Sequence, residues 1–228
     1  MAVVEKNTRN GLGVDPWAAV LGFLVTIGLA IAGFILGVGA AGKAGETQSF
    51  WYLSRSAGLV AYALLWGSVA WGILLSAKPG GRLRPGTLYD AHQFLSNAAL
   101  GFAFFHALVL IGDRYASFPL SAILAPFAGT YKPALVALGQ IALWLSLFLS
   151  LSWLVRKQIG QRAWRAFHYV SYGVYWIALL HSVAMGSDTN LSWVRWMYIS
   201  TAAAVALLTA YRLLRMDRQA DVAGSPLP

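Results

Sequence analysis

Four histidines, two in each of two long apolar stretches, constrain this chain more than any other feature. Residues 89–111 read YDAHQFLSNAALGFAFFHALVLI and carry His92 and His106. Residues 164–185 read WRAFHYVSYGVYWIALLHSVAM and carry His168 and His181, the remaining two of the chain's 4 histidines. Each stretch has the ~20 residues needed to cross a hydrocarbon core as a helix. The spacings are 14 and 13 residues. At 1.5 Å per residue these are rises of ~21 and ~20 Å, so each helix holds one histidine near each end. Both stretches run in the same direction through the bilayer. The natural pairs are therefore His92 with His168 in an inner layer, and His106 with His181 in an outer one. Imidazole is a good axial ligand for haem iron, and two of them suit it to electron transfer. The pattern points to two haems, each clamped between the same two helices.

Composition agrees with a membrane setting. The chain is 58% hydrophobic and 11% charged, against ~25% charged in soluble domains. It contains 0 cysteines, which excludes disulfides, thiolate metal sites and iron–sulfur clusters. A net charge of +9 could suggest nucleic acid. The basic residues, however, gather at the ends of apolar segments, where they set orientation. The first apolar run is too long for a signal-peptide core and has no small-residue cleavage site behind it.

The expectation is an all-α fold: an integral membrane six-helix bundle (residues 16–215) between cytoplasmic tails at 1–15 and 216–228. The six spans fall at 17–38, 52–77, 88–112, 133–155, 163–185 and 193–214. The connection at 113–132 is long and apolar enough to hold a short surface helix. No internal repeat stands out. With the N-terminus inside, 12 of the 17 Lys and Arg residues fall on the inner side. That bias places both termini in the cytoplasm of a multi-pass cell-membrane protein.

Helix geometry raises one difficulty. At 100° per residue, 14 residues end ~40° from the starting face, whereas 13 end ~140° from it. A straight fifth helix would not aim His168 and His181 into one cleft. A local tightening, a kink near Gly173, or two porphyrins rotated relative to each other would resolve this. Membrane histidines also serve as plain interhelical hydrogen-bonding groups, worth ~0.6 kcal/mol. A bare zinc or copper site fits less well, since Asp90 is the one carboxylate within either histidine stretch.

His92-x13-His106, His168-x12-His181 and Arg55-x2-Gly58 at the start of the second span together resemble the ferric reductase-like transmembrane family, which includes ferric reductases and NADPH oxidases. The resemblance covers about residues 50–215. It implies a six-helix membrane domain with two b-type haems on the third and fifth helices. It further implies that all four histidines are axial ligands, and that Arg55 lies near the outer haem propionates. Arg165, three residues before His168, is a candidate partner for an inner propionate. Interfacial anchoring of Arg55 and positive-inside topology for Arg165 are the alternatives. The segment IGQRAWRAFHYVSYGVYWIALLH is also similar to the haem-binding membrane subunit of the bacterial methionine sulfoxide reductase system, although His92 favours a two-haem member.

Family members continue into flavin and nicotinamide domains, and no glycine-rich nucleotide fingerprint follows a strand pattern in this sequence. The expected activity is therefore that of a dihaem b-type transmembrane cytochrome, of oxidoreductase type, without its own flavin or NAD(P)H domain. A separate cytoplasmic flavoprotein, carrying the flavin, or quinol would supply electrons, and an outer-face acceptor would take them. An electron-relay or structural subunit of a larger membrane complex, and a quinol-oxidising cytochrome b, are the alternatives.

Overall fold

A computed structural model of the chain describes residues 48–76, 85–113 and 118–224. The expected first span at 17–38 and the basic turn holding Lys78, Arg82 and Arg84 lie outside the described residues. Within them the chain is helical, with no strand. In order come α1 (Gln48–Ser76), α2 (Pro85–Val109, prolonged by a 3₁₀ turn Leu110–Gly112), α3 (Leu120–Leu124), α4 (Pro133–Ile159), α5 (Gln161–His168), α6 (Val170–Met185) and α7 (Ser192–Gly224).

Four segments are long and apolar enough to cross a membrane: Phe50–Ser76, Leu88–Gly112, Pro133–Ile159 and Ser192–Leu214. They correspond to the expected second, third, fourth and sixth spans. Their outward faces carry large apolar side chains; Phe94, Phe148, Trp196 and Leu207 are all more than half exposed. Apolar surface on this scale is rare on soluble monomers and ordinary against lipid.

Local sequence explains several helix ends. Pro133 opens α4, where its missing N–H costs no hydrogen bond. Gly160 closes α4 and begins α5 with φ +83° and ψ 151°, a conformation that is close to glycine-only. The expected short helix in the long connection is α3. It is held against α4 by Gln140 Nε2, which donates to the carbonyls of Ala122 (2.7 Å) and Ile123 (2.9 Å), and by Trp144 Nε1, which donates to Leu124 O (2.8 Å).

The expected fifth span is divided. It breaks at Tyr169, one residue after His168, rather than near Gly173, which lies inside α6. The Tyr169 N–H is shared between the carbonyls of Arg165 and Ala166, both at 3.3 Å, and Tyr172 N–H then bonds back three residues to Tyr169 O (3.1 Å). These are the tighter bonds of a 3₁₀ turn. Each residue so wound advances ~120° instead of ~100°, which recovers part of the 13-residue mismatch.

Helix α1 packs along α2, and α4 along α6; α1 also touches α6 and α7, and α2 meets α4. The main core joins Tyr62, Val69 and Ile73 of α1 to Tyr175 and Leu179 of α6 and Val194, Tyr198 and Val205 of α7. Within it, the Tyr62 hydroxyl shares hydrogen bonds with Thr201 (2.6 Å) and Tyr175 (3.3 Å), tying three helices together by buried hydroxyls.

Candidate functional site

The four histidines meet as two facing pairs. His92 of α2 lies opposite His168 at the end of α5, with ring centroids 6.1 Å apart and planes at 77°. His106 of α2 lies opposite His181 of α6, at 6.3 Å and 78°. An imidazole nitrogen binds a metal at ~2 Å, so two rings on opposite sides of one metal atom place their centroids ~6 Å apart. Both pairs have that separation. Both line one cavity of about 1050 Å³ between α1, α2, α4, α5 and α6. A pocket for a single drug-sized ligand has ~300–1,000 Å³, so the space is at the upper end of that range.

Three of the imidazoles are held in one way. His106 Nδ1–H donates to Ser54 O (2.7 Å), His92 Nδ1–H to Ser68 O (3.0 Å) and His181 Nδ1–H to Leu135 O (2.8 Å). An imidazole that donates from Nδ1 leaves Nε2 unprotonated, the state in which it binds a metal. Four residues beyond each accepting carbonyl stands a glycine, and each glycine makes room for the ring. A Cβ on Gly58 would come 2.9 Å from His106 Nδ1, one on Gly72 3.1 Å from His92 Cε1, and one on Gly139 2.6 Å from His181 Cε1.

On α1 the device is repeated: Ser54-x3-Gly58 and Ser68-x3-Gly72 are 14 residues apart, matching the 14 between His92 and His106 on α2. Two helices with the same 14-residue period form two like sockets. This internal repeat is missed when each span is read alone, and aligning residues 54–58 with 68–72 reveals it.

His168 is held differently. Its Nδ1 is buried with no hydrogen-bond partner among the described residues. Its ring instead stacks on Trp164, at 5.0 Å and 22°.

Arg55 forms an ion pair with Asp188, its Nε donating to Oδ2 at 2.9 Å. The pair ties the start of α1 to the loop after α6 at the His106–His181 end of the cavity. Arg165 is exposed and lines the other end. Sequence reading did not single out Arg212, which also lines that end and donates to the hydroxyls of Tyr172 (3.1 Å) and Tyr169 (2.9 Å). Among the described residues no three His, Cys, Asp or Glu side chains come together to hold a metal ion.

A family model described as a domain of unknown function, DUF8596, matches residues 49–188, more than half of the chain. The chain belongs to the DUF8596 family. The DUF8596 region takes in all four histidines, both Ser-x3-Gly sockets, Gly139, Trp164 and the Arg55–Asp188 pair. No curated protein and no solved structure matches the chain.

Proposed function

We propose that the chain is a dihaem b-type membrane cytochrome that carries electrons across the bilayer. The observation that carries this reading is the pair of opposed imidazole couples, 6.1 and 6.3 Å apart, above and below one another in a single apolar cavity. The donor set favours haem over a bare ion. Two imidazoles are too few for a structural zinc, which takes four protein ligands, or a catalytic one, which takes three. They are the number that haem iron needs, because the porphyrin fills its other four positions.

When bound, haem supplies one-electron exchange between ferric and ferrous iron. The protein's part is to hold, orient and insulate. His92 with His168, and His106 with His181, are the residues that would hold the two groups. The carbonyls of Ser54, Ser68 and Leu135 fix three of those rings and raise their basicity. Glycines 58, 72 and 139 let the neighbouring helices approach them. Leu100, Ala103, Leu143 and Leu147 are among the apolar residues lining the cavity between the layers. Arg165 and Arg212 at one end, and Arg55 at the other, line the cavity and would be the cations to meet carboxylate groups on a bound porphyrin's rim.

The membrane arrangement belongs to the same proposal: six spans, both termini cytoplasmic, the His92–His168 layer inner and the His106–His181 layer outer. A separate flavoprotein, or quinol, donates at the inner layer, and an acceptor collects at the outer face. The resemblance to ferric reductase-like membrane domains supports this direction.

The test is a reduced-minus-oxidised absorption spectrum of the purified protein, with a pyridine haemochromogen count per chain. Two b haems per chain are expected. A protein that stays free of haem after expression with ample haem supply would end the proposal.

A further inference from the structure

The three carbonyl-held sockets have a missing fourth. Helix α4 supplies the socket of His181 through Leu135 O and Gly139. Fourteen residues further along, where the same helix would serve His168, stand Leu149 and Trp153. Trp153 replaces the glycine. The Leu149 carbonyl is already taken, because it accepts from Ser152 Oγ at 2.6 Å. Ser152 Oγ in turn accepts from Trp164 Nε1 at 3.1 Å. The donor that the other sockets would draw from an imidazole comes here from a serine and an indole. Trp164, fixed by that bond and packed on Trp153 (6.0 Å, 69°), lies flat against His168.

Resting on the dihaem reading, we propose that Trp164 is the positioning residue of His168, and that the His92–His168 layer therefore has the higher reduction potential of the two. Hydrogen bonding from Nδ1–H to a carbonyl makes an imidazole a more basic ligand. A more basic ligand favours ferric iron and lowers the potential. The outer layer has two such ligands, His106 and His181. The inner layer has one, His92, because the His168 Nδ1 has no such bond.

Charge acts in the same sense. The inner end of the cavity is lined by Arg165 and by Arg212, whose partners are neutral phenols. At the outer end the charge of Arg55 is offset by Asp188. Positive surroundings favour the ferrous state, which carries one positive charge fewer. Electrons therefore collect at the inner layer when the two are at equilibrium.

A potentiometric titration of the full-length protein, followed by visible absorption and by electron paramagnetic resonance, tests this. His181→Ala leaves the inner layer to be titrated alone, and His92→Ala leaves the outer. The inner midpoint is expected above the outer by about tenfold in ferric-to-ferrous ratio at a common potential, about 59 mV for a one-electron couple. In the otherwise unaltered protein, Trp164→Leu should shift the inner midpoint and its ferric resonance signal while the outer signal stays put. Trp164→Phe, which keeps a ring to stack but loses the bond to Ser152 Oγ, should restore both inner readouts in part. The outer signal serves as the control within each molecule, since general loss of structure would move it too.

Equal or reversed midpoints would overturn the proposal. So would a Trp164→Leu protein with both inner readouts unchanged. If that variant does not accumulate, the order of the two midpoints still decides. Two haems in the wrong order would defeat this inference alone; a haem-free protein would defeat the dihaem reading as well.

Discussion

At the scale of single residues, the glycines beside the histidines are the sharpest test of the site. A Cβ on Gly139 would lie 2.6 Å from His181 Cε1 and 2.8 Å from its Nε2. Contacts that short force the ring to move. The ring is also tethered to Leu135 O on the same helix, so it cannot move and keep its orientation. If the dihaem proposal holds, Gly139→Ala is therefore expected to lose the haem of the His106–His181 layer and keep the other, lowering the haemochromogen count from two per chain to one. Gly173 provides the contrast. A Cβ there meets nothing within 4 Å, and replacing a helix-interior glycine by alanine is worth ~0.5–1 kcal/mol in favour of the helix. Gly173→Ala should keep both haems and should not lower the thermal midpoint. A Gly139→Ala protein that retained two haems would show that the socket on α4 does not hold a ligand.

At the scale of elements, the chain reversal at Gly160 sets the direction of α5, and α5 carries both Trp164 and His168. Its φ of +83° with ψ of 151° is almost closed to residues with a side chain, although a Cβ would meet no neighbour within 4 Å. The cost of Gly160→Ala is therefore one of backbone strain, ~1–3 kcal/mol. It should appear as a lower thermal unfolding midpoint. Because α5 is re-aimed, a haem held by His92 and His168, as the dihaem proposal has it, should be lost before the other on heating, which visible spectra recorded during the melt would detect. The same elements show what could be read from sequence and what could not. Apolar length marked α1, α2, α4 and α7 directly, and the histidine spacing on α2 gave the two pairs that the structure brings face to face. The break at Tyr169 had no such signal. Helix kinks are expected at proline or glycine, and Gly173 was the one candidate in that stretch. The turn is instead tightened four residues earlier, between two tyrosines and without either residue type. The sockets were also hidden, because a backbone carbonyl leaves no mark in sequence. Only the glycine four positions later does, and glycines in membrane helices are common enough to pass as packing residues.

At the scale of the whole molecule, function depends on which layer faces which side. The basic residues decide this by their number and place rather than by any contact. Arg156, Lys157, Arg162 and Arg165 crowd the junction of α4 and α5, whereas the turn between α6 and α7 holds Asp188 and no lysine or arginine. On the proposed topology, the positive-inside rule would put the first group in the cytoplasm, and with it the His92–His168 end of the cavity. Because the sequence contains 0 cysteines, single cysteines can be introduced without first removing others. Gln158 near the end of α4 and Asn190 in the turn after α6 are both exposed and touch neither histidine pair. In intact cells, a membrane-impermeant maleimide should label Asn190→Cys and leave Gln158→Cys unlabelled until the membrane is opened. The reverse pattern would turn the protein over. The layer with the carbonyl-free His168 and the cavity-lining Arg165 and Arg212 would then face outward, and a cytoplasmic donor would have to reduce the His106–His181 layer first.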